Sequence, residues 1–177
     1  GWLTDDQGVL IYDRYDIWRV TPDGSAHARL TDGAEADVRY RYIDVDGDDD
    51  GPGIDVDKPT YLSAYGQWTK QSGFARIAPG ASEPQRLVWL ESRVARLMKA
   101  ADAERFAYVA ERFDDSPDFF AAGPDLSNPR QISETNPFQA DYAWGRSELV
   151  DYATPAGDRL QGALFYPADY EPGREYP

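Results

Sequence analysis

The chain has 177 residues, 41% of them hydrophobic and 14% aromatic, enough for a packed core in one ordinary domain or part of a larger one, and too apolar for global disorder. Its net charge of −14 repels phosphate backbones and anionic lipid, which argues against nucleic-acid and membrane-surface partners. It has no cysteine, so disulfides, thiolate metal sites and a cysteine nucleophile are excluded, and the compartment is left open.

The N-terminus, GWLTDDQGVL, has no signal-peptide pattern and reads as a chain met in mid-domain. No apolar run approaches the roughly 20 residues needed to span a bilayer. Abundant Tyr and Trp with a single Met favour strands over helices. Residues 9–12 and 17–20 read as the first strands, Pro22-Asp23-Gly24 as a turn, and residues 28–30 as a third strand. The same order of strand, Pro/Gly turn and strand returns in SGFARIAPGASEPQRLVWL and again in PDFFAAGPDLSNPRQIS.

Aligning Ile17, Phe74 and Phe119 gives steps of about 57 and 45 residues, and Arg29, Arg86 and Arg130 give nearly the same steps. A period of roughly 40–50 residues built from four short antiparallel strands is the signature of β-propeller blades. Residues 38–43, 60–64, 94–99 and 105–111 fill the remaining strand places. RVARLMKAADAERFAYVAER is rich in helix formers, but the repeat predicts two strands joined by an Ala-Asp turn. Trp18, Trp89, Phe119 and Phe120 are expected to pack between adjacent blades, and Arg112 with Asp118 to pair on the surface.

The first step exceeds the second by about a dozen residues, close to the length of the acidic run at 44–57, where half the positions are Asp. The run is therefore expected as an insertion between two strands of one blade. Beyond about Asn136 the period fails. SELVDYATPAGDRLQGALFYPADYEPGREYP reads as a hairpin: strands at 148–153 and 160–166, joined by a turn at Pro155-Ala156-Gly157-Asp158. The expected class is all-β, a partial propeller over 1–145 followed by a hairpin of a different unit over 146–177.

That hairpin carries a family resemblance. LVDYATPAGDRLQGALFYPADYEPGREYP resembles the junction at which the propeller of prolyl-oligopeptidase-family serine peptidases passes into their α/β-hydrolase domain. Tyr152, Thr154, Gly157, Leu160, Gly162, Pro167, Asp169, Pro172 and Tyr176-Pro177 fit that junction. Upstream, YDIWRVTPDGSAHARLTDG and KPTYLSAYGQWTKQSGFARI look like blades of the same family. The resemblance implies a serine peptidase acting on short peptides, whose propeller gates access to a Ser-Asp-His site on the hydrolase domain, with Ser in a G-x-S-x-G elbow. That elbow is absent here. GRSEL, around Ser147, lacks the second Gly, and the single His27 falls in a blade strand without a Ser partner. No residue of this chain is expected to be catalytic, and the partners the resemblance implies are short peptide substrates and the chain's own hydrolase domain. The alternative is a propeller used only as a binding scaffold, with no hydrolase attached.

No cofactor is expected, save a candidate calcium loop in the acidic run. Asp46, Asp48 and Asp50 occupy positions 1, 3 and 5 of such a loop, Gly51 position 6 and Asp57 position 12. Against it, the flanks read as strands, Ile54 at position 9 supplies no side-chain oxygen, and Asp57 is shorter than the usual bidentate Glu. Relatives in the resembled family carry polar segments here without this motif. A solvated, charge-rich insertion is the favoured reading.

Overall fold

In the computed structural model, which describes residues 1–47, 51–81 and 83–176, the strands fall into four separate antiparallel sheets. The first sheet holds β1 (Val9–Tyr12), β2 (Ile17–Val20) and β3 (His27–Arg29). Residues 1–3 run beside β1 on its inner side: Trp2 bridges Val9, and the Leu10 N–H donates to the Gly1 carbonyl at 2.8 Å. The second sheet is the meander β4 (Val38–Tyr42), β5 (Thr60–Gly66), β6 (Ser72–Ile77) and β7 (Gln85–Leu90). The third repeats it as β8 (Arg93–Lys99), β9 (Phe106–Arg112), β10 (Asp115–Ala122) and β11 (Arg130–Gln131). The fourth is a hairpin of β12 (Arg146–Ala153) and β13 (Arg159–Tyr166).

This is the expected all-β class, and the repeat holds position by position. Ile17, Phe74 and Phe119 all lie in the strand next to the outermost one, and Arg29, Arg86 and Arg130 all lie on the outermost strand. Strand ends shift by a residue or two; β5 continues to Gly66, and β12 begins at Arg146.

Strand alternation puts successive side chains on opposite faces, and the middle sheet buries both. Leu62, Ala64 and Ala75, with Val38 and Tyr40 of the same sheet, face the first sheet and cluster with its Leu10 and Ile17 and with Leu3. Tyr61, Phe74 and Val88 face the third, packing on Val94, Leu97, Phe106, Tyr108 and Ala122. The helix-like spacing of Val94 and Leu97 has a strand explanation. The β8–β9 register shifts between Ala95 and Met98, Arg96 adopts φ 57°, and the extra residue returns Leu97 to the buried face.

Two expectations about side chains differ from the structure. Trp18 is only half-buried, held by its indole N–H to Asp13 Oδ2 at 2.8 Å, and neither it nor Phe119 belongs to an interblade core, whereas Trp89 and Phe120 do pack there. The aromatic weight of the interfaces rests instead on Tyr61, Phe74, Phe106 and Tyr108, with Tyr61 and Phe106 centred 4.9 Å apart. Arg112 pairs with Asp114 at 3.3 Å rather than with Asp118, because Asp118 is turned inward.

Asp118 and Asp16 occupy the same repeat position, one residue before Phe119 and Ile17, and both are buried. Each makes the same network. Asp16 Oδ1 accepts from the Thr31 hydroxyl at 2.6 Å and from the Gly33 N–H at 2.5 Å, while Thr31 Oγ1 accepts from the Ile17 N–H at 3.0 Å. Asp118 Oδ1 accepts from the Ser133 hydroxyl at 2.7 Å and the Thr135 N–H at 2.8 Å, while Ser133 Oγ accepts from the Phe119 N–H at 2.8 Å. The carboxylate thus ties the chain leaving the outermost strand back to the strand beside it. Gly33 has no alternative there, since a Cβ would run into the Val38 carbonyl.

In the middle sheet the equivalent residue is Gly73, where a Cβ would strike the Val88 carbonyl. Ser72 takes over, donating to the Ser92 carbonyl and accepting from the Val94 N–H, both at 2.7 Å.

Replacing Asp16 by Ala strands buried donors, and a loss of about 2 kcal/mol is expected in denaturant unfolding. The Ser133 hydroxyl, followed by the Thr135 N–H and Gln131, outweighs burial and holds the Asp118 carboxyl below its ordinary value of 3.8. Its contribution to stability is complete above that value and is lost as pH falls through the lowered one. An acid titration of unfolding for Asp118→Asn should therefore show a weaker dependence below pH 3.8 than the parent chain.

Candidate functional site

The hairpin is the element that departs from the repeat. Its register pairs Arg146 with Tyr166 and Ala153 with Arg159. Ser147, Leu149, Asp151, Arg159, Gln161 and Phe165 therefore share one face, and Val150, Tyr152, Leu160 and Leu164 share the other.

The first face meets the blades at two points. Near the turn, the Gln161 amide donates to the Trp68 carbonyl at 2.8 Å, and the Arg159 guanidinium lies 4.3 Å from the Trp68 ring centroid. Arg159 also bonds Asp151 at 3.0 Å, which holds the Asp151 carboxyl below its ordinary range. At the other end, Phe165 packs on Phe113 with centroids 5.1 Å apart, and Trp144 meets Phe113 edge-on at 6.5 Å. Trp68 lies between β5 and β6, and Phe113 between β9 and β10. Both loops emerge on the same side of their sheets, because they join the same pair of strand places. The opposite hairpin face is uncovered, with Tyr152 54% exposed, Leu160 40% and Leu164 43%, and the docked face is only partly covered, with Leu149 40% and Phe165 59% exposed.

A cleft of about 560 Å³ opens beside these contacts. Its walls come from four places: Lys70 after β5, Glu91 and Ser92 between β7 and β8 with Arg93 at the start of β8, Glu111–Asp114 around the β9–β10 turn, and Arg146 with Ser147 on the hairpin. Arg93 pairs with Glu111, Arg112 with Asp114, and Arg146 with Glu148 at 3.0 Å. Ser147 therefore lies in a cleft wall, whereas His27 lies on β3 with its ring 6.1 Å from Trp18. The two belong to different units and form no nucleophile–base pair.

The acidic insertion joins β4 to β5, two paired strands of one sheet, as its length suggested. It is anchored at both ends. The Val45 carbonyl accepts from the Lys99 N–H at 2.8 Å, and Ile54 is buried in the core between the first two sheets. Ile54 also exchanges backbone bonds with Trp2 and Thr4 at 2.9 and 3.0 Å. The residue that weakens the calcium reading at position 9 is thus the one that holds the loop down.

Asp46 lines an acidic cavity of about 490 Å³ with Asp44, Asp55 and Tyr42, whereas Asp57 lines a different one. Burial, reinforced by Asp44 and Asp46, pushes the Tyr42 hydroxyl up to about 12. Asp48 and Asp50 lie outside the described residues, among which no group of three or more His, Asp or Glu side chains is placed to hold a metal. Millimolar calcium separates the two readings of the run. The expected result is an unchanged melting temperature; a rise that Asp48→Ala abolishes would establish a calcium loop.

The architecture is that of consecutive propeller-type blades with a separate hairpin docked on the side where the second-to-third strand loops emerge. No protein-family model matches the chain, and no curated protein matches it. Among solved structures it is similar to the isopeptidase AtxE2: to a variant with Astexin3-dC4 bound (TM-score 0.61) and to the apo form (TM-score 0.59), each at 17% identity. Each match covers 99% of this chain and 25% of that one, so the chain spans about a quarter of the isopeptidase's length. At that identity the likeness is one of fold.

The charged cleft was not anticipated from the sequence. Its cations sit at strand ends and turns, and no local motif links Lys70, Arg93, Arg112 and Arg146, which span 76 positions of chain.

Proposed function

We propose that the chain is the blade-bearing, non-catalytic part of a prolyl-oligopeptidase-family serine peptidase, in which the propeller limits access of short peptides to a hydrolase unit that begins at the hairpin. The observation that carries this reading is the hairpin itself. It breaks the blade period, forms a sheet of its own, grips the blades at Trp68 and Phe113, and turns an apolar face away from them. A lone two-stranded ribbon is marginal in water and wants further strands or helices on its apolar side. The likeness to an isopeptidase supports the reading because it extends over 99% of the chain and therefore takes in blades and hairpin together. Within this reading, residues 1–145 supply the propeller and 146–177 the opening of the hydrolase domain, and the chemistry is acyl transfer through a Ser nucleophile held elsewhere.

Reading the encoding gene past Pro177 tests it. The expected finding is a G-x-S-x-G motif followed by Asp and then His over about 200 further residues, one domain's length. A stop codon or an unrelated domain at that point would favour a binding scaffold instead.

A further inference from the structure

We infer that the cleft beside the hairpin receives the free carboxylate end of a short peptide, with Lys70 as its counter-ion. Four of the ten residues lining the cleft are cations, in a chain whose net charge is −14. Three are already answered: Arg93 by Glu111, Arg112 by Asp114, and Arg146 by Glu148 and by the face of Tyr166 at 3.9 Å. Lys70 differs. It is half-buried, its backbone adopts φ 59°, and its ammonium donates to the Gln67 carbonyl at 2.6 Å. Among the described residues no carboxylate forms a salt bridge with it: Asp151, which Lys70 helps to hold low, is hydrogen-bonded to Arg159 instead.

An ammonium has three donors, and a neutral carbonyl uses one without supplying charge. The ammonium lies 6.0 Å from the Trp68 ring centroid but holds no carboxylate in a salt bridge among the described residues, so an incoming carboxylate gains a charge-assisted bond there. Phe113 lines the same cleft and offers an apolar wall to the terminal side chain. The volume of about 560 Å³ suits a few residues of peptide. Glu91, Glu111 and Asp114 in the walls favour a monoanion over a phosphate dianion. That the occupant is a peptide rests on the peptidase reading. The binding itself requires no hydrolysis, so a downstream gene lacking the hydrolase signature would leave a positive binding result standing.

Two tryptophans report on the site: Trp68, whose ring centroid is 6.0 Å from the Lys70 ammonium, and Trp144, against Phe113. The test titrates the full protein that the gene encodes, with any downstream serine nucleophile changed to Ala so that the peptides are bound and not cleaved, at low salt and neutral pH, with acetyl-Ala-Ala-Phe and with its carboxamide twin, following tryptophan fluorescence. The acid is expected to bind about ten-fold more tightly than the amide, a difference of ~1.4 kcal/mol. Lys70→Met should erase the preference and Lys70→Arg should keep it, with both variants checked for an unchanged melting temperature. Should Lys70→Met fail to fold, Lys70→Gln serves as the charge-free variant. Equal binding of the two peptides, binding of neither, a preference that survives loss of the lysine charge, or displacement by equimolar inorganic phosphate would overturn the proposal.

Discussion

Each blade here must solve the same problem: the chain leaving its outermost strand has to turn back toward the inner strand of the next sheet without leaving buried backbone groups unpaired. A carboxylate or hydroxyl at the start of the neighbouring strand does this. Asp16 gathers Thr31, Gly33 and Ala34, and Asp118 gathers Ser133, Thr135 and Gln131. The hydroxyl caught by each carboxylate also accepts a main-chain N–H of the strand it caps, so one side-chain pair fixes both the exit of one strand and the entry of another. Without it, three sheets linked only by apolar faces could slide relative to one another, since hydrophobic contact is non-directional. The middle sheet makes the same closure with Ser72 because the tight approach of Val88 leaves room only for Gly73.

That register determines where the functional surface lies. Fixed strand entries bring the β5–β6 and β9–β10 loops out on one side, and the hairpin reaches from Trp68 on the first to Phe113 on the second. The two contacts differ in kind. One is a cation over an indole plus a hydrogen bond to a carbonyl, and the other is a loosely packed aromatic group. The cleft they flank is lined by ion pairs rather than apolar side chains. Exposed pairs of this sort contribute little to stability, so they hold the walls apart without demanding dehydration.

Much of the blade order was legible in the sequence because its signals are local. Turn residues such as Pro22-Asp23-Gly24 and strand-period alternation locate β1 and β2 to the residue, and the recurring offset of Arg29, Arg86 and Arg130 from Ile17, Phe74 and Phe119 locates the outermost strands. The acidic run could be assigned to a connection within one blade by length alone. What was not legible depends on three-dimensional convergence. Asp16 carried no signal and Asp118 was expected in a surface pair with Arg112, since the true partners of both lie 15 residues onward and only the folded register brings them together. Trp18 was misjudged because an aromatic in a short strand says nothing about which face the next blade covers. Lys70 had no signature at all.

The acidic insertion illustrates how a sequence pattern and a packing role compete for the same residues. Read as ligands, the alternating aspartates suggest a cation. Read as a chain path, the run has an apolar residue in a place where a calcium loop needs oxygen, and that residue, Ile54, is 8% exposed and sits among Leu3, Leu10 and Leu62. Its backbone continues the inner edge of the first sheet through a parallel bridge to Leu3, so the insertion takes part of the place of a strand that residues 1–3 begin. Burying one isoleucine contributes roughly 1.5–3 kcal/mol, enough to fix the course of the described part of the loop without a metal. Asp44, Asp46 and Asp57 are exposed to solvent, where their mutual repulsion is screened and their cost is small.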